Sequence, residues 1–146
     1  MDVKTKIKAL SREFFNEVVE YRRHIHANPE LAFEEFGTAE YVSTKLNEFG
    51  IPHTKGVAKT GIIALLEGKN PSKKVVGLRG DMDALPIVEA NEVSYKSKNI
   101  GKMHACGHDV HTASLLGVAK ILSELKEEIE GTVKFFFQPS EEKFPG

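Results

Sequence analysis

Apolar positions in the first part of the chain recur every three or four residues, which is the spacing of one face of an α-helix. A first stripe over residues 7–25 predicts one amphipathic helix that ends near His26, because Pro29 cannot continue it. A second stripe over residues 34–49 predicts another helix, closed by Gly50. The chain is therefore expected to begin with two helices.

Beyond these helices the pattern changes to short unbroken apolar runs. Residues 61–66 and 75–78 predict strands that are covered on both faces. A third helical stripe follows Asp109 and ends at Gly131, and residues 132–137 predict a further strand. This order of elements is typical of an α/β fold in which helices flank a mixed sheet.

Composition narrows the class of protein. A chain of 146 residues with 40% hydrophobic residues fits one domain, residues 1–146, with a sizeable core. A net charge of -1 with dispersed lysines argues against nucleic acid as a partner. The longest apolar run, residues 62–66, is too short for a signal peptide or a membrane span. One cysteine cannot form an internal disulfide, so a reducing, cytoplasmic setting is the simplest interpretation.

Three polar clusters fall at the ends of predicted strands or just before a predicted helix. Asp81 and Asp83 follow the second strand, residues 106–109 precede the third helix, and Glu141 and Glu142 follow the last strand. In open α/β sheets the ligand crevice lies outside the carboxyl ends of the strands. We therefore expect the three clusters to share one site.

The densest run of possible metal ligands is residues 104–111. Cys106 and His108 are separated only by Gly107, a spacing that suits a chelating loop better than a helix face. A thiolate and an imidazole together favour zinc, cobalt, nickel or manganese over calcium or magnesium. Asp109 is expected to cap the helix that follows.

The two carboxylate pairs each allow a functional and a purely structural interpretation. Asp81 and Asp83 face the same way if the strand continues through them, and they would then bind a metal or orient a ligating imidazole. Glu141 and Glu142 diverge, so one can bind a metal while the other acts as general base. A solvated turn explains the first pair as well, and a solvated surface explains the second.

The other histidines of the polar segments have several possible functions. His104 and His111 either support the ligands, contact substrate, or are simply hydrogen-bonded by their neighbours. His24 and His26 would point about 200° apart on a helix. We therefore expect these two residues to fix the helix end and the following loop, and not to chelate a metal.

Taken together, four segments resemble the motifs of the N-acyl-amino-acid amidohydrolases and occur in the same order. That family includes hippurate hydrolases, auxin-conjugate (indole-3-acetyl-amino acid) hydrolases, N-acetyldiaminopimelate deacetylases and related co-catalytic metallopeptidases. The segments are RRHIHANPEL at 22–31, GDMDALP at 80–86, HACGHD at 104–109 and QPSEE at 138–142.

The resemblance implies a co-catalytic zinc-peptidase-like domain with two divalent metal ions, chosen among Mn, Zn, Co and Ni, and no other cofactor. It implies Cys106, His108 and Glu142 as metal ligands, Glu141 as the proton shuttle and Asp83 as the supporting catalytic aspartate. The implied reaction is hydrolysis of an N-acyl amino acid or peptide, in which metal-activated water attacks the amide carbonyl. Glu141 takes the proton of that water and returns it to the leaving amine.

The resemblance also implies that the chain represents only part of a protein of this family. Relatives are longer and contribute further histidine ligands and a small lid or dimerisation domain. Residues 1–146 are therefore expected to be the N-terminal portion of the catalytic domain, truncated before that second domain and with an incomplete site. The complete enzyme is expected to be a homo-oligomer through the missing domain. Asp81 stands where more distant relatives carry a metal-binding histidine, so its function stays open.

Two alternatives remain from the residues themselves. A cysteine hydrolase would use Cys106 as the nucleophile, with His104, His108 or His111 as the base. The chain would otherwise be a non-catalytic binding or regulatory module. Sensitivity to a chelator, without an acyl group trapped on the thiol, argues against the first alternative.

Overall fold

A four-stranded mixed sheet lies at the centre of the computed structural model, which describes residues 2–144. The strand order is β1-β2-β4-β3; β2 pairs antiparallel with β1 and with β4, whereas β3 and β4 are parallel. Because β3 and β4 are parallel, their carboxyl ends lie side by side at one edge of the sheet. The strands are β1 (His53–Val57), β2 (Gly61–Glu67), β3 (Val75–Asp81) and β4 (Thr132–Gln138).

Four α-helices and one short 3-10 turn complete the described part of the chain. Helix α4 lies between β3 and β4 in sequence and packs against α2 and β3. Within residues 2–144, no helix has both the length and the apolar character needed to cross a bilayer. The helices are α1 (Val3–Glu13), α2 (Phe15–Ala27), α3 (Phe36–Glu48) and α4 (His108–Glu124), and the turn is Lys126–Glu128.

The prediction of a single N-terminal helix is wrong, because the helix is interrupted at Phe14. There the backbone leaves the helical region, with φ -87 and ψ 1. Phe14 is buried in a small cluster with Ile121 and Leu125, whereas Tyr21 belongs to the main core. The single apolar stripe thus contributes to two separate hydrophobic clusters. The interruption at Phe14 lets α1 pack against the small cluster and α2 against the main core.

The prediction that the strands are covered on both faces is also wrong. Alternate residues of β2, such as Ile62 and Ala64, are buried in the main core with residues of α2, α3 and α4. On the opposite face Leu65 is 39% exposed, and Val75 of β3 is 63% exposed. In the described residues the helices therefore cover one face of the sheet. The mixed α/β class itself is as predicted.

Helix α4, which is the third helix predicted from the sequence, differs from its prediction at both ends. It ends at Glu124, and the 3-10 turn follows it before Gly131, which has a φ of +90. At its start the cap position is Gly107, with a φ of +106 and no side-chain cap bond. Asp109 therefore does not cap the helix, contrary to the prediction, because its carboxylate bonds to the side chains of Arg22 and His26.

The hydrophobic pattern predicts helix α3 correctly but does not reveal strand β1. Helix α3 ends before Gly50, whose φ is +67, as the predicted glycine cap requires. Strand β1 was not predicted, because its central residues are exposed and Gly56 interrupts them. Its pairing with β2 depends on the neighbouring strand rather than on a local apolar pattern.

Candidate metal centre

The three polar clusters meet at the edge of the sheet where β3 and β4 end. Asp81 lies opposite Gln138 in the parallel register. One ligand atom each of Cys106, His108 and Glu142 lie within 4.8 Å of one another. His108 is buried, while Cys106 and Glu142 are exposed, so the group is open to solvent on one side. The shared site expected from the sequence is formed by these residues.

Asp83 holds two members of this group in place. His108 Nδ1 lies 2.9 Å from the backbone oxygen of Asp83 and 3.1 Å from its Oδ1. The backbone N–H of Glu142 donates to the other carboxylate oxygen of Asp83 at 2.9 Å. Because acceptors occupy Nδ1, the proton of the imidazole is held there and Nε2 is free as a ligand.

The spacing of the donor atoms suits a divalent ion. His108 Nε2 lies 3.7 Å from Glu141 Oε2 and 3.8 Å from Glu142 Oε1, which is too far for direct hydrogen bonds. Atoms that each lie about 2.0–2.2 Å from one ion are separated by distances of this order. A thiolate, an imidazole and a carboxylate are ligands of zinc, manganese, cobalt and nickel. The residues present therefore fit the metal that the motifs imply.

The thiol of Cys106 is not prepared to act as a nucleophile. Its hydrogen bond to Glu142 is the largest reason that the pKa of Cys106 is raised, and burial and the charges of Glu141 and Asp81 add to this. A cysteine hydrolase needs a thiolate, and a raised pKa disfavours that form of Cys106 when no metal is bound. A divalent ion would instead favour the thiolate. The raised pKa thus weighs against the cysteine-hydrolase alternative.

Asp81 and His111 form a pair beside the ligand group. Asp81 Oδ1 lies 2.7 Å from His111 Nδ1, and its Oδ2 accepts from Arg79 at 2.9 Å. Burial raises the pKa of Asp81, but the bond from His111 and the nearby His108 outweigh it, so the pKa is lowered.

Asp81, His108 and His111 also lie close enough to form a second donor group. That group would need the same free nitrogen of His108, and Arg79 already neutralises Asp81. We therefore interpret Asp81 as an ionised carboxylate that orients His111 next to the site, not as a ligand.

His104 lies inside the protein rather than at the site surface. It is 4% exposed, and neither ring nitrogen has a hydrogen-bond partner in the described residues. Burial is the main reason that the pKa of His104 is lowered to about 4, so the ring is neutral at pH 7. A side chain this buried is not placed to contact substrate, and the prediction that its neighbours hydrogen-bond it is wrong for the described residues. Support of the ligands by His104 stays a prediction.

His24 and His26 occupy different environments, as expected for residues that do not chelate one metal. His24 is exposed and stacks on Tyr41 with the ring centroids 4.0 Å apart. His26 is buried, with Asp109 at one ring nitrogen and Glu89 at the other. The interpretation as a loop-fixing residue agrees with these contacts for His26, whereas Glu89 had no recognisable signal in the sequence.

Glu89 gives the fold a specific sensitivity to acid. Burial raises the pKa of Glu89, but hydrogen bonds from His26, the N–H of Ser97 and Asn91 outweigh it and lower the pKa to about 2. A folded pKa below the ordinary 4.5 means that ionised Glu89 stabilises the fold fully above pH 4.5 and loses this contribution as the pH falls toward 2. Between these pH values we expect the wild type to lose about 3 kcal/mol more unfolding free energy than Glu89→Gln.

Denaturant unfolding at a series of acidic pH values measures this difference. The exposed Glu92, changed to glutamine, is the matched control and should keep the wild-type profile. Parallel profiles for the wild type and Glu89→Gln would contradict the prediction.

A second buried carboxylate, Glu35, fixes the turn that carries the two glutamates of the site. Glu35 is fully buried, accepts the N–H of Ser140 at 2.8 Å and accepts the hydroxyl of Thr60 at 2.5 Å. Ser140 has a φ of +55, which is costly for a residue with a side chain and is maintained here by these contacts. In the sequence Glu35 is indistinguishable from a surface glutamate, so no signal marked it.

A mixed sheet with a thiolate, an imidazole and a carboxylate gathered where its parallel strands end defines the class of α/β proteins with a metal-binding edge. A model of peptidase family M20/M25/M40 matches residues 77–146. The N-acyl-L-amino acid amidohydrolase of Geobacillus stearothermophilus is 50% identical over 143 residues, and IAA-amino acid hydrolase ILR1-like 5 of Arabidopsis thaliana is 51% identical over 135 residues. The chain belongs to peptidase family M20/M25/M40.

A solved structure supports the same assignment. The Bacillus subtilis YxeP protein, described as a dinuclear metal-binding peptidase of this family, superposes with a TM-score of 0.85 at 42% sequence identity and over 90% of this chain. The chain spans 38% of the Geobacillus protein, 30% of the Arabidopsis protein and 36% of YxeP. These relatives are therefore much longer than this chain of 146 residues.

Proposed function

We propose that this chain carries catalytic and metal-binding residues of a metal-dependent amidohydrolase that cleaves the amide bond of N-acyl amino acids. The observation that carries the proposal is the close approach of Cys106, His108 and Glu142 at the open edge of the sheet. The names of the Geobacillus and Arabidopsis relatives support the substrate class, and the description of YxeP supports two divalent ions.

In this proposal Cys106, Nε2 of His108 and Glu142 hold a divalent ion, which is Mn, Zn, Co or Ni. When bound, such an ion polarises the amide carbonyl and makes water a better nucleophile at neutral pH. Asp83 holds the imidazole of His108 with one carboxylate oxygen and the backbone of Glu142 with the other. The protein thus supplies a preformed group of donors with little to rearrange.

Glu141 is the general base and acid of the proposed reaction. Its side chain is 40% exposed and its Oε2 lies 3.7 Å from His108 Nε2, beside the donor group and open to substrate. Glu141 takes a proton from the attacking water and returns it to the leaving amine. Its neighbour Glu142 is assigned as the ligand because Glu142, and not Glu141, forms the compact donor group with Cys106 and His108. The two carboxylates do not diverge as the sequence predicts, since both lie within 3.8 Å of His108 Nε2.

The setting of the site supports several further proposals. Cys106 must stay reduced to bind metal, which suits the cytoplasm. The substrate is a small N-acyl amino acid or peptide, and we propose no nucleic-acid or membrane partner. Since the relatives are matched over 30–38% of their lengths, we propose that the chain corresponds to the N-terminal portion of their catalytic domain. From the family resemblance alone, we also propose that the whole protein is a homo-oligomer.

A panel of acetyl-, benzoyl- and indoleacetyl-amino acids tests the proposed function. We expect the natural protein to hydrolyse at least one of them, to lose this activity on treatment with a chelator, and to regain it with one of the four divalent ions. Hydrolysis that survives the chelator and leaves an acyl group on Cys106 would support the cysteine hydrolase instead. Binding without any hydrolysis would support the non-catalytic module.

A further inference from the structure

One buried charged network takes no part in the proposed chemistry. His26, Asp109 and Glu89 have side chains that are 3%, 1% and 1% exposed. His26 Nδ1 lies 2.7 Å from Asp109 Oδ2, and His26 Nε2 lies 2.9 Å from Glu89 Oε1. Arg22 Nη2 also lies 3.3 Å from His26 Nδ1. The imidazole is thus held at both ring nitrogens by side chains from distant parts of the sequence.

On one side this network holds the residue that follows the ligand His108. Asp109 lies in the first turn of α4, and its Oδ2 accepts from Arg22 Nε at 2.8 Å as well as from His26. Arg22 and His26 are four residues apart on α2, so they lie on the same face of that helix. The last turns of α2 thus fix the start of α4 through one carboxylate oxygen.

On the other side the network holds the segment that leads into the ligand loop. The second oxygen of Glu89 accepts the N–H of Ser97 at 2.6 Å, and the N–H of Lys98 donates to the backbone oxygen of Ala27 at 2.9 Å. Both contacts tie this segment to the end of α2. Met103 is fixed in turn by two backbone hydrogen bonds of 3.0 Å with Leu85.

Within the ligand loop, only Cys106 and Gly107 have little packing of their own. Cys106 is exposed, and a Cβ added at Gly107 would meet no atom within 4 Å, whereas His104 and His108 on either side are buried. Gly107 also has a φ of +106, a conformation open to glycine but strained for other residues. The position of Cys106 relative to His108 therefore depends on the residues that flank this short stretch and on the contacts that hold them.

We propose that His26 is a positioning residue of the metal centre, joining the residue after His108 to the segment before Cys106 and so fixing how far apart these ligands lie. This inference rests on the proposed function, because it requires Cys106 and His108 to bind the ion. His26 touches neither ligand and acts through Asp109 and Glu89. Partners that orient metal ligands typically contribute about 10- to 100-fold to metal affinity.

Cobalt titration of the natural protein tests this function for His26. The charge-transfer band from thiolate to Co²⁺ reports both affinity and the geometry at Cys106. We expect His26→Gln to weaken Co²⁺ binding about 10- to 100-fold and to alter this band. His24→Gln, on the same helix but exposed, is the matched control and should leave both unchanged. Circular dichroism of each metal-free variant records whether it is folded.

Arg22→Gln provides a second test that is less disruptive, because Arg22 is 30% exposed. It removes the other partner of Asp109 and should weaken Co²⁺ binding in the same direction by a smaller factor. If His26→Gln does not fold, Arg22→Gln decides alone.

Folded variants that bind Co²⁺ with the wild-type affinity and the wild-type band would overturn the inference, because a merely stabilising network leaves both unchanged in the folded protein. Absence of the thiolate band in the wild type would overturn the proposed ligands and this inference with them. A wild-type band that His26→Gln leaves intact would overturn the inference alone.

Discussion

Changing Glu141 to glutamine is expected to lower amide hydrolysis by the natural protein about 10²- to 10⁴-fold while its metal content stays near that of the wild type. Glutamine keeps the size of the side chain but cannot take a proton from water or return one to the amine. Metal binding is retained because Cys106, His108 and Glu142 form the ligand group without Glu141. Steady-state rates, together with metal analysis of the same samples, measure both effects.

The neighbouring glutamate provides the sharpest comparison for this prediction. Glu142→Gln should lose metal, because an amide is a weaker ligand than a carboxylate, while Glu141→Gln keeps it. The exposed Glu20, changed to glutamine, is a control for the loss of one surface charge and should leave rate and metal unchanged. Metal lost from Glu141→Gln but retained by Glu142→Gln would mean that the two glutamates have exchanged functions.

Removal of a ligand is expected to have the second large effect. Cys106→Ala or Glu142→Ala should weaken metal binding by more than the roughly 100-fold that loss of a supporting partner costs, because each change deletes a donor atom itself. Equilibrium dialysis against Zn²⁺ or Co²⁺ measures the change in affinity.

The same variants separate the metal site from the cysteine-hydrolase alternative. Under the metal hypothesis Cys106→Ala lowers hydrolysis because metal is lost, and excess metal partly restores it. Under the alternative, Cys106→Ala abolishes hydrolysis at any metal concentration and Glu142→Ala has little effect on metal content. Wild-type metal affinity in both alanine variants would contradict the proposed ligands. Ser114→Ala, an exposed position on α4, is a control for truncation of a small polar side chain.

Local patterns were sufficient for much of the fold. Helix α3 with Gly50, strand β2 and strand β4 follow from periodicity and glycine or proline placement, because one face of each element contacts a single core along its length. The break at Phe14 could not be predicted, since both halves of the stripe are apolar and only their separate contacts on α4 distinguish them. Local sequence likewise does not reveal that the helices cover only one face of the sheet, because exposed Val75 lies in an apolar run that is typical of a buried strand.

Local sequence likewise marks some residues of the candidate site but not the contacts that hold them. Cys106 and His108 are marked by their spacing in a glycine-containing loop, and Glu142 by its position just after a strand. Asp109 was recognised but assigned a cap, which is the local role of an aspartate near a helix start. Its actual partner, His26, is 83 positions away in sequence. No local rule connects residues at that separation.

By itself, the sequence determined the mixed α/β class, the family and a short list of candidate ligands and acids, because these depend on residue type and near-neighbour spacing. Only the tertiary structure decided what holds them. Asp83 bonds both His108 and Glu142, and Glu35 fixes a turn 105 positions away. Most buried polar groups find hydrogen-bond partners wherever the fold brings them together, so these contacts are set by packing across the whole fold. Cys106 is a candidate ligand by its spacing, but only the fold brings it close to Glu142 as well as to His108.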